Sequence, residues 1–459
     1  MRTVSLTEGS IVRGSLLFTV PLILGNLFQQ LYSATDSLVV GNFVGSGALA
    51  AVSASNQIVN LVIGFVIGLT TGAGIVIARH YGAGEYAALR RCISTAYLFC
   101  LVGGAAVSAL GIAVSPVLLH LINTPEEIFA DSVLYLRIYF LGTLFNILYN
   151  MGAGVLQAVA DTRHPLYYLC AASAVNIILD VLFVAVFRWG VAGAAIATIS
   201  SQLLSAILVV RALMKTDDMY KLEWNKVRID RRMLQRIVRI GIPAGMQSVM
   251  YNISNVIIQA GVNTLGTDNV TAWATYGKVD GLYWMMINAL GISVTTFVGQ
   301  NFGAQQYHRV RKSIWVCMGM AALTTILFSV LFYFAASPLI GLFSTDQAVL
   351  AEGVDIMRFL APWYIAYVCI EIFSGAIRGT GDSLIPMLIT TSGVCVLRVV
   401  WIYAVLPLNH TFHNLVLSYP VSWILTSILF LIYYFQGGWM RRRIKKIGFS
   451  PEEKSSKAI

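Results

Sequence analysis

Charge is what this sequence of 459 residues has least of. Asp, Glu, Lys and Arg make up only 11% of it, against roughly 25% in soluble globular domains. With 57% apolar residues and a mean hydropathy of +0.75, that scarcity excludes a water-soluble fold. Paired cysteines are missing too: Cys92, Cys100, Cys170, Cys317, Cys369 and Cys395 lie in or beside apolar runs without regular spacing, which excludes a disulfide scaffold and reads as small core residues. The N-terminus lacks the basic stretch and small-residue cleavage site of a signal peptide, so the first apolar run is expected to be retained as a helix. Tyr81 to Gly84 and Arg378-Gly379-Thr380-Gly381-Asp382 look like phosphate cradles, but no Gly-x-x-x-x-Gly-Lys-Ser/Thr occurs. Both read as tight turns between helices, so energy must come from elsewhere than ATP hydrolysis by this chain. No Asp-rich diphosphate motif, His-Glu-x-x-His or Gly-x-Ser-x-Gly is present, which argues against a membrane-embedded enzyme.

What the sequence does have is apolar runs of about 20 residues, each long enough to cross roughly 30 Å of hydrocarbon as a helix. There are twelve. The first six run near 11–38, 48–77, 92–118, 130–155, 165–187 and 191–213, the second six near 235–262, 270–299, 313–337, 350–376, 386–407 and 414–436. The expected fold class is therefore an all-α integral membrane protein. Residues 1–214 form an N-terminal six-helix lobe and 215–232 a polar cytoplasmic linker. Residues 233–436 form a second six-helix lobe and 437–459 a basic cytoplasmic tail.

The halves are copies of one unit. Tyr81-Gly82-Ala83-Gly84 recurs as Phe302-Gly303-Ala304-Gln305, Asp161 with Pro165 as Asp382 with Pro386, and Thr124 as Thr345, all 221 positions on; Pro21 recurs at Pro243, 222 on. Anchors in register over most of each half indicate duplication. Both Gly-Ala turns precede basic residues, Arg90-Arg91 in one half and Arg309, Arg311 and Lys312 in the other. Corresponding points thus face one side, so the repeats are parallel, two bundles flanking a central cleft suited to alternating access.

The net charge of +10 is distributed by topology. With the N-terminus cytoplasmic, even-numbered connections and both tails hold 26 of the 31 Lys and Arg; Arg137, Arg188, Lys278, Arg358 and Arg398 are the rest. That is the positive-inside pattern, and no basic face points to nucleic acid. Arg441-Arg442-Arg443-Ile444-Lys445-Lys446 reads as an anchor near anionic lipid ahead of a targeting or nucleic-acid patch.

Ionisable residues within a membrane are costly and mark function. Four carboxylates qualify: Asp36, Asp180, Asp280 and Glu371. Asp36 follows Pro21 by 15 residues on a first helix that proline can bend. Asn176 and Asp180 are spaced i, i+4 and project from one helical face. With Thr198 these residues offer hard oxygens for a proton or a sodium ion; the alternative is a polar core that ties helices together. The repeat partners of Asp36 and Asp180 are Ile258 and Trp401, so the second half lacks the pair. It keeps a polar stripe: Asn26, Gln30, Ser33 and Ser37 correspond to Ser248, Asn252, Asn255 and Gln259, lining a cleft or bonding helix to helix. Glu371 either meets a cationic substrate or proton, or pairs with Lys278 or Arg398; Asp280 has no assigned role. Tyr139, Tyr149, Trp273, Tyr276, Trp284 and Tyr367 offer ring faces to a cation, or face lipid and core. The expected substrate cleft comprises Gln30, Ser33, Asn252, Asn255, Gln259, Tyr139, Tyr276, Trp284 and Glu371.

Over essentially its whole length the chain resembles the multidrug and toxic compound extrusion (MATE) transporters. The carrying residues are Val20-Pro21, Gly299-Gln300-Asn301-Phe302-Gly303-Ala304, and Gly375-Ala376-Ile377-Arg378-Gly379-Thr380-Gly381-Asp382 with Pro386. The resemblance implies two six-helix lobes in a V-shaped arrangement that export organic cations in exchange for protons or sodium ions. Pro21, Asp36, Asn176, Asp180 and Thr198 match the DinF-like branch. The NorM-like pattern of acidic residues in the seventh and tenth helices is absent, since Tyr367 stands where its tenth-helix aspartate would be. The expected protein is a secondary antiporter without cofactor, a monomer in the plasma membrane, with both termini cytoplasmic and a small cationic substrate. The rival within transporters is a lipid-linked oligosaccharide flippase, which calls for extra helices or a cationic cleft; a receptor has no use for a duplicated six-span plan.

Overall fold

The computed structural model describes residues 6–223, 228–344, 346–436 and 438–447. Among these there is no strand. The long helices are α1 (Ile11–Phe43), α2 (Ser46–Gly82), α3 (Tyr86–Leu121), α4 (Glu126–Ala158), α5 (Arg163–Val186), α6 (Gly190–Lys215), α7 (Arg231–Asn263), α8 (Thr267–Gly303), α9 (Tyr307–Phe334), α10 (Gln347–Gly379), α11 (Leu384–Leu408), α12 (Phe412–Phe435) and α13 (Gly438–Ile447), with a six-residue helix, Ala336–Gly341, between α9 and α10. Eleven of the first twelve are long and apolar enough to cross a membrane by length and composition. The other, α7, carries Arg231, Arg232, Arg236 and Arg239 at its start, but residues 240–263 hold no charge and are long enough to span. Hydropathy marks only the hydrocarbon portion of each helix, which is why most helices outrun the apolar runs by about a turn at their ends.

The ends of α2 and α8 repeat between the halves bond by bond. After α2, Ala83 N donates to Arg79 O at 2.9 Å and Glu85 N to His80 O at 3.0 Å; after α8, Ala304 N donates to Gln300 O at 2.9 Å and Gln306 N to Asn301 O at 2.9 Å. Left-handed backbone recurs 221 positions apart at three pairs, Gly45 and Gly266, Gly84 and Gln305, and Ala160 and Gly381, though not at Asn123, Arg188 or Gly190. Glycine relieves that conformation at most of these. The Thr345 anchor lies outside the described residues.

The chain forms two compact units. Unit 1 contains Leu16–Ser248; unit 2 contains Ser10–Ser15 and the chain from Val249. The boundary thus falls inside α7, later than the linker where hydropathy sets it. Close packing explains why: Gly68 and Gly72 of α2 meet Gly245 and Gly241 of α7 backbone to backbone. A β-carbon on Gly72 would lie 2.5 Å from Gly241 N, and one on Gly68 would collide with the Gly245 backbone. Small residues spaced by four let membrane helices approach this closely.

The described part of the connection before α7 is docked on unit 1. Leu222 and Tyr220 are buried, Leu222 N donates to Leu213 O at 2.9 Å, and Asp230 N donates to Thr95 Oγ1 at 3.0 Å; residues 224–227 lie outside the description. In unit 2, α10 packs on α8 through Gly375 and Gly379, whose β-carbons would approach Gly291 O at 2.9 Å and Thr295 O at 2.7 Å. Of the segment Arg378 to Asp382, then, Gly379 still belongs to the helix and the turn proper centres on Gly381. The basic tail continues as α13, where Arg443 Nε donates to Thr380 O at 3.3 Å; residues 448–459 lie outside the description.

Candidate cation site and its surroundings

Three helices of unit 1 assemble the site. On α1, Tyr32 and Asp36 share a face one turn apart; on α5, Asn176 and Asp180 do the same; Thr198 stands on α6. Tyr32 Oη donates to Thr198 Oγ1 at 3.4 Å, tying α1 to α6. Asp36 and Asp180 come within hydrogen-bonding reach of each other. Directly after Asp180, α5 widens into a π-helical turn, Val181–Val186, a distortion frequent at functional sites.

Burial is nearly complete: Asp36 is 8% exposed, Asn176 and Asp180 0%. Asp36 Oδ1, both Asp180 oxygens, and Asn176 Oδ1 and Nδ2 have no hydrogen-bond partner. Two facing carboxylates cannot bond each other without a proton or cation between them. Leaving a buried charge uncompensated costs several kcal/mol, and an unmet buried amide about 1–3 kcal/mol. Four of these five atoms are hard oxygens that the protein itself leaves unsatisfied. Hard oxygen donors suit sodium or a proton over transition metals. Among the described residues no group of three or more His, Cys, Asp and Glu could hold a metal ion.

Tyrosines wall the site. Tyr135 and Tyr139 stack at 6.2 Å between ring centroids, and Gln202 Nε2 donates to Tyr139 Oη at 3.4 Å. Tyr139 is buried in the core of unit 1, so its ring face is not open to a substrate. Tyr32 and Gln202 escape the sequence reading. Tyr32 was legible as the i−4 neighbour of Asp36; Gln202 depends on a contact between α4 and α6 that no spacing reveals.

Unit 2 gives its carboxylates partners. Trp284 Nε1 donates to Asp280 Oδ2 at 2.6 Å, the Tyr364 hydroxyl donates to Asp280 Oδ1, and Tyr276 and Tyr364 hydroxyls lie 2.6 Å apart. Tyr276 and Trp284 thus serve Asp280, and Tyr276 is buried. Glu371 accepts from Tyr367 Oη at 3.3 Å and lies 3.7 Å from Arg378 Nη2. Neither of the basic residues expected to pair with it does so. Lys278 sits 5.4 Å from the Phe343 ring centroid. Arg398 is buried, donates to Ser422 Oγ at 3.0 Å and lies 3.9 Å from the Tyr419 ring centroid.

Of the polar stripes, Gln30, Ser33 and Asn255 are exposed, while Asn252 and Gln259 are half-buried. Several members bond within their own helices: Ser37 Oγ donates to Ser33 O at 2.9 Å and Gln259 Nε2 to Asn263 Oδ1 at 2.9 Å.

Comparison with known proteins places this geometry in context. The MatE family profile matches twice, over residues 21–182 and 243–404, blocks offset by 222. The "Probable multidrug resistance protein YpnP" of Bacillus subtilis is 27% identical over 97% of this chain and 99% of its own length. The "Probable multidrug resistance protein YoeA" of the same organism is 26% identical over 96% and 97%. A crystal structure titled "MATE in the bent conformation" superposes with a TM-score of 0.89 at 19% identity, covering 96% of this chain and all of that one.

Proposed function

The chain belongs to the MatE family, a family of transporters, and from that premise we propose that it is a secondary antiporter. It exports organic cations or drugs in exchange for protons or sodium ions by alternating access. The multidrug-resistance names of its relatives support the substrate class. One observation carries the coupling assignment: five buried polar atoms of Asp36, Asn176 and Asp180 without partners, in the unit whose repeat copy lacks both carboxylates.

On this reading the coupling ion binds at Asp36, Asn176, Asp180 and Thr198, as in the DinF-like branch. As a proton it bridges the two carboxyls; as sodium it is ligated by their oxygens, the Asn176 carbonyl and the Thr198 hydroxyl. Filling the site removes the repulsion between Asp36 on α1 and Asp180 on α5 and draws the helices together. Pro21 denies Leu17 O its helical partner, so α1 can bend or straighten as its far half is drawn in. Transport follows only if the two states bind the ion with different affinity. Gln30, Ser33, Asn252, Asn255 and Gln259 contact the substrate, while Glu371, Trp284 and the buried tyrosines shape the units that present it. The protein works as a monomer in the plasma membrane with both termini cytoplasmic.

The test is Asp36→Asn in proteoliposomes. Ion-driven efflux of a fluorescent cation should fall to the level of protein-free vesicles while the variant still inserts and runs monodisperse; undiminished efflux would sink the assignment.

A further inference from the structure

A basic basin of about 650 Å³ opens on unit 1 at the end where α2 turns into α3, well away in sequence from Asp36, Asn176 and Asp180. Six basic side chains line it, Arg90, Arg91, Lys221, Arg228, Arg231 and Arg232, against two acidic ones, Glu223 and Asp230. The acids are already engaged. Glu223 Oε1 accepts from Arg90 Nη1 at 3.2 Å. Asp230 Oδ1 accepts the Arg232 and Met233 amide N–H groups at 2.9 and 3.2 Å, capping α7. Those bonds, the Met233 amide foremost, hold the Asp230 carboxyl below its usual range, with Arg91 and Arg232 adding to the effect. Lys221 Nζ lies 3.8 Å from Asp217. Arg91, Arg228, Arg231 and Arg232 form no ion pair among the described residues.

The basin's frame is fixed without an occupant. Thr95 is fully buried on α3; its hydroxyl donates to Arg228 O at 3.3 Å and accepts from Asp230 N at 3.0 Å. Arg90 Nε donates to Met219 O at 3.3 Å. Like charges held together at this density repel unless an anion such as a phosphate joins them.

The rim decides what carries the phosphate. Ile229 lines the basin and is 46% exposed, and Met219 and Tyr86, beside Arg90, are 41% and 44% exposed. A soluble anion has no use for an apolar rim. An amphiphile does: its head sits among the arginines and its chains run over Ile229, Met219 and Tyr86.

We propose that this basin is a binding site for the phosphate head group of an anionic membrane lipid, which fastens α3, the connection and the start of α7 at the membrane surface. The basic character of the even-numbered connections puts the site on the leaflet that the positive-inside pattern assigns to the cytoplasm.

The test uses the full chain purified in detergent, with native mass spectrometry counting bound lipid during titration with cardiolipin, with phosphatidylcholine as reference. Wild type should bind cardiolipin saturably and more tightly than phosphatidylcholine. Arg91→Gln/Arg228→Gln/Arg232→Gln should weaken cardiolipin binding on the order of 100-fold, because each basic residue near an anionic surface contributes a factor of about five. Arg441→Gln/Arg442→Gln, on α13, should bind as wild type. Replacing the same three arginines with lysine retains the charge and should keep binding within a few-fold, which also guards against a variant that misfolds. Equal binding by wild type and the glutamine variant, or loss of binding in the lysine variant, overturns the proposal. So does pyrophosphate binding that requires these arginines in a protein that does not take up cardiolipin, since the site would then serve a soluble anion.

Discussion

Asn176 is the residue at which a cation site and a structural polar core part company. Its amide is fully buried with neither atom bonded. If it merely tied helices together, it would have a protein partner. An unsatisfied buried amide costs about 1–3 kcal/mol, so replacing it with an apolar side chain of similar shape should leave stability unchanged or raise it. If Asn176 ligates the coupling ion, the same change removes one ligand. Asn176→Leu is therefore expected to melt at or above the wild-type temperature while the concentration of coupling ion needed for half-maximal transport rises about tenfold, the equivalent of about 1.4 kcal/mol. Melting followed in detergent and transport in vesicles separate the two effects. The i, i+4 spacing of Asn176 and Asp180 and the place of Asp36 within the first apolar helix were legible in the sequence. The bond from Tyr32 to Thr198 was not, because helix spacing states which residues share a face and is silent on which helix that face meets.

At the scale of elements, two glycine pairs set how closely helices approach. Alanine in place of glycine normally favours a helix by about 1 kcal/mol. At Gly72, however, the new β-carbon would lie 2.5 Å from a backbone nitrogen of α7, and backbone cannot step aside. Forcing atoms into such a contact costs about 1–3 kcal/mol, which outweighs the helix gain. Gly72→Ala should therefore lower the melting temperature, whereas Gly277→Ala, with nothing within 4 Å of its β-carbon, should leave it equal or raise it. A matched pair of melting curves checks this, and a stabilised Gly72→Ala would contradict the tight crossing. The turns were readable in outline from the repeated Gly-Ala segments. The crossing was not, although Gly68, Gly72, Gly241 and Gly245 stand at plain four-residue spacings. Small residues mark a helix as able to approach another without naming its partner.

For the whole molecule, duplication and helix count were readable because hydrophobic length and repeated turn chemistry are properties of the chain itself. The extent of the compact units was not, since α1 and α7 each run on from one unit into the other, and hydropathy sees only where an apolar run starts and stops. The two halves share the turns after α2 and α8, bond for bond, and differ in the site: carboxylates without donors in unit 1, carboxylates satisfied by Trp284, Tyr364, Tyr367 and Arg378 in unit 2. The central claim is that an ion at Asp36 and Asp180 drives export. The most direct measurement is efflux of a fluorescent organic cation from proteoliposomes under a proton gradient alone, a sodium gradient alone, and neither. The account predicts efflux with at least one gradient and none without; efflux that proceeds equally with neither would contradict it.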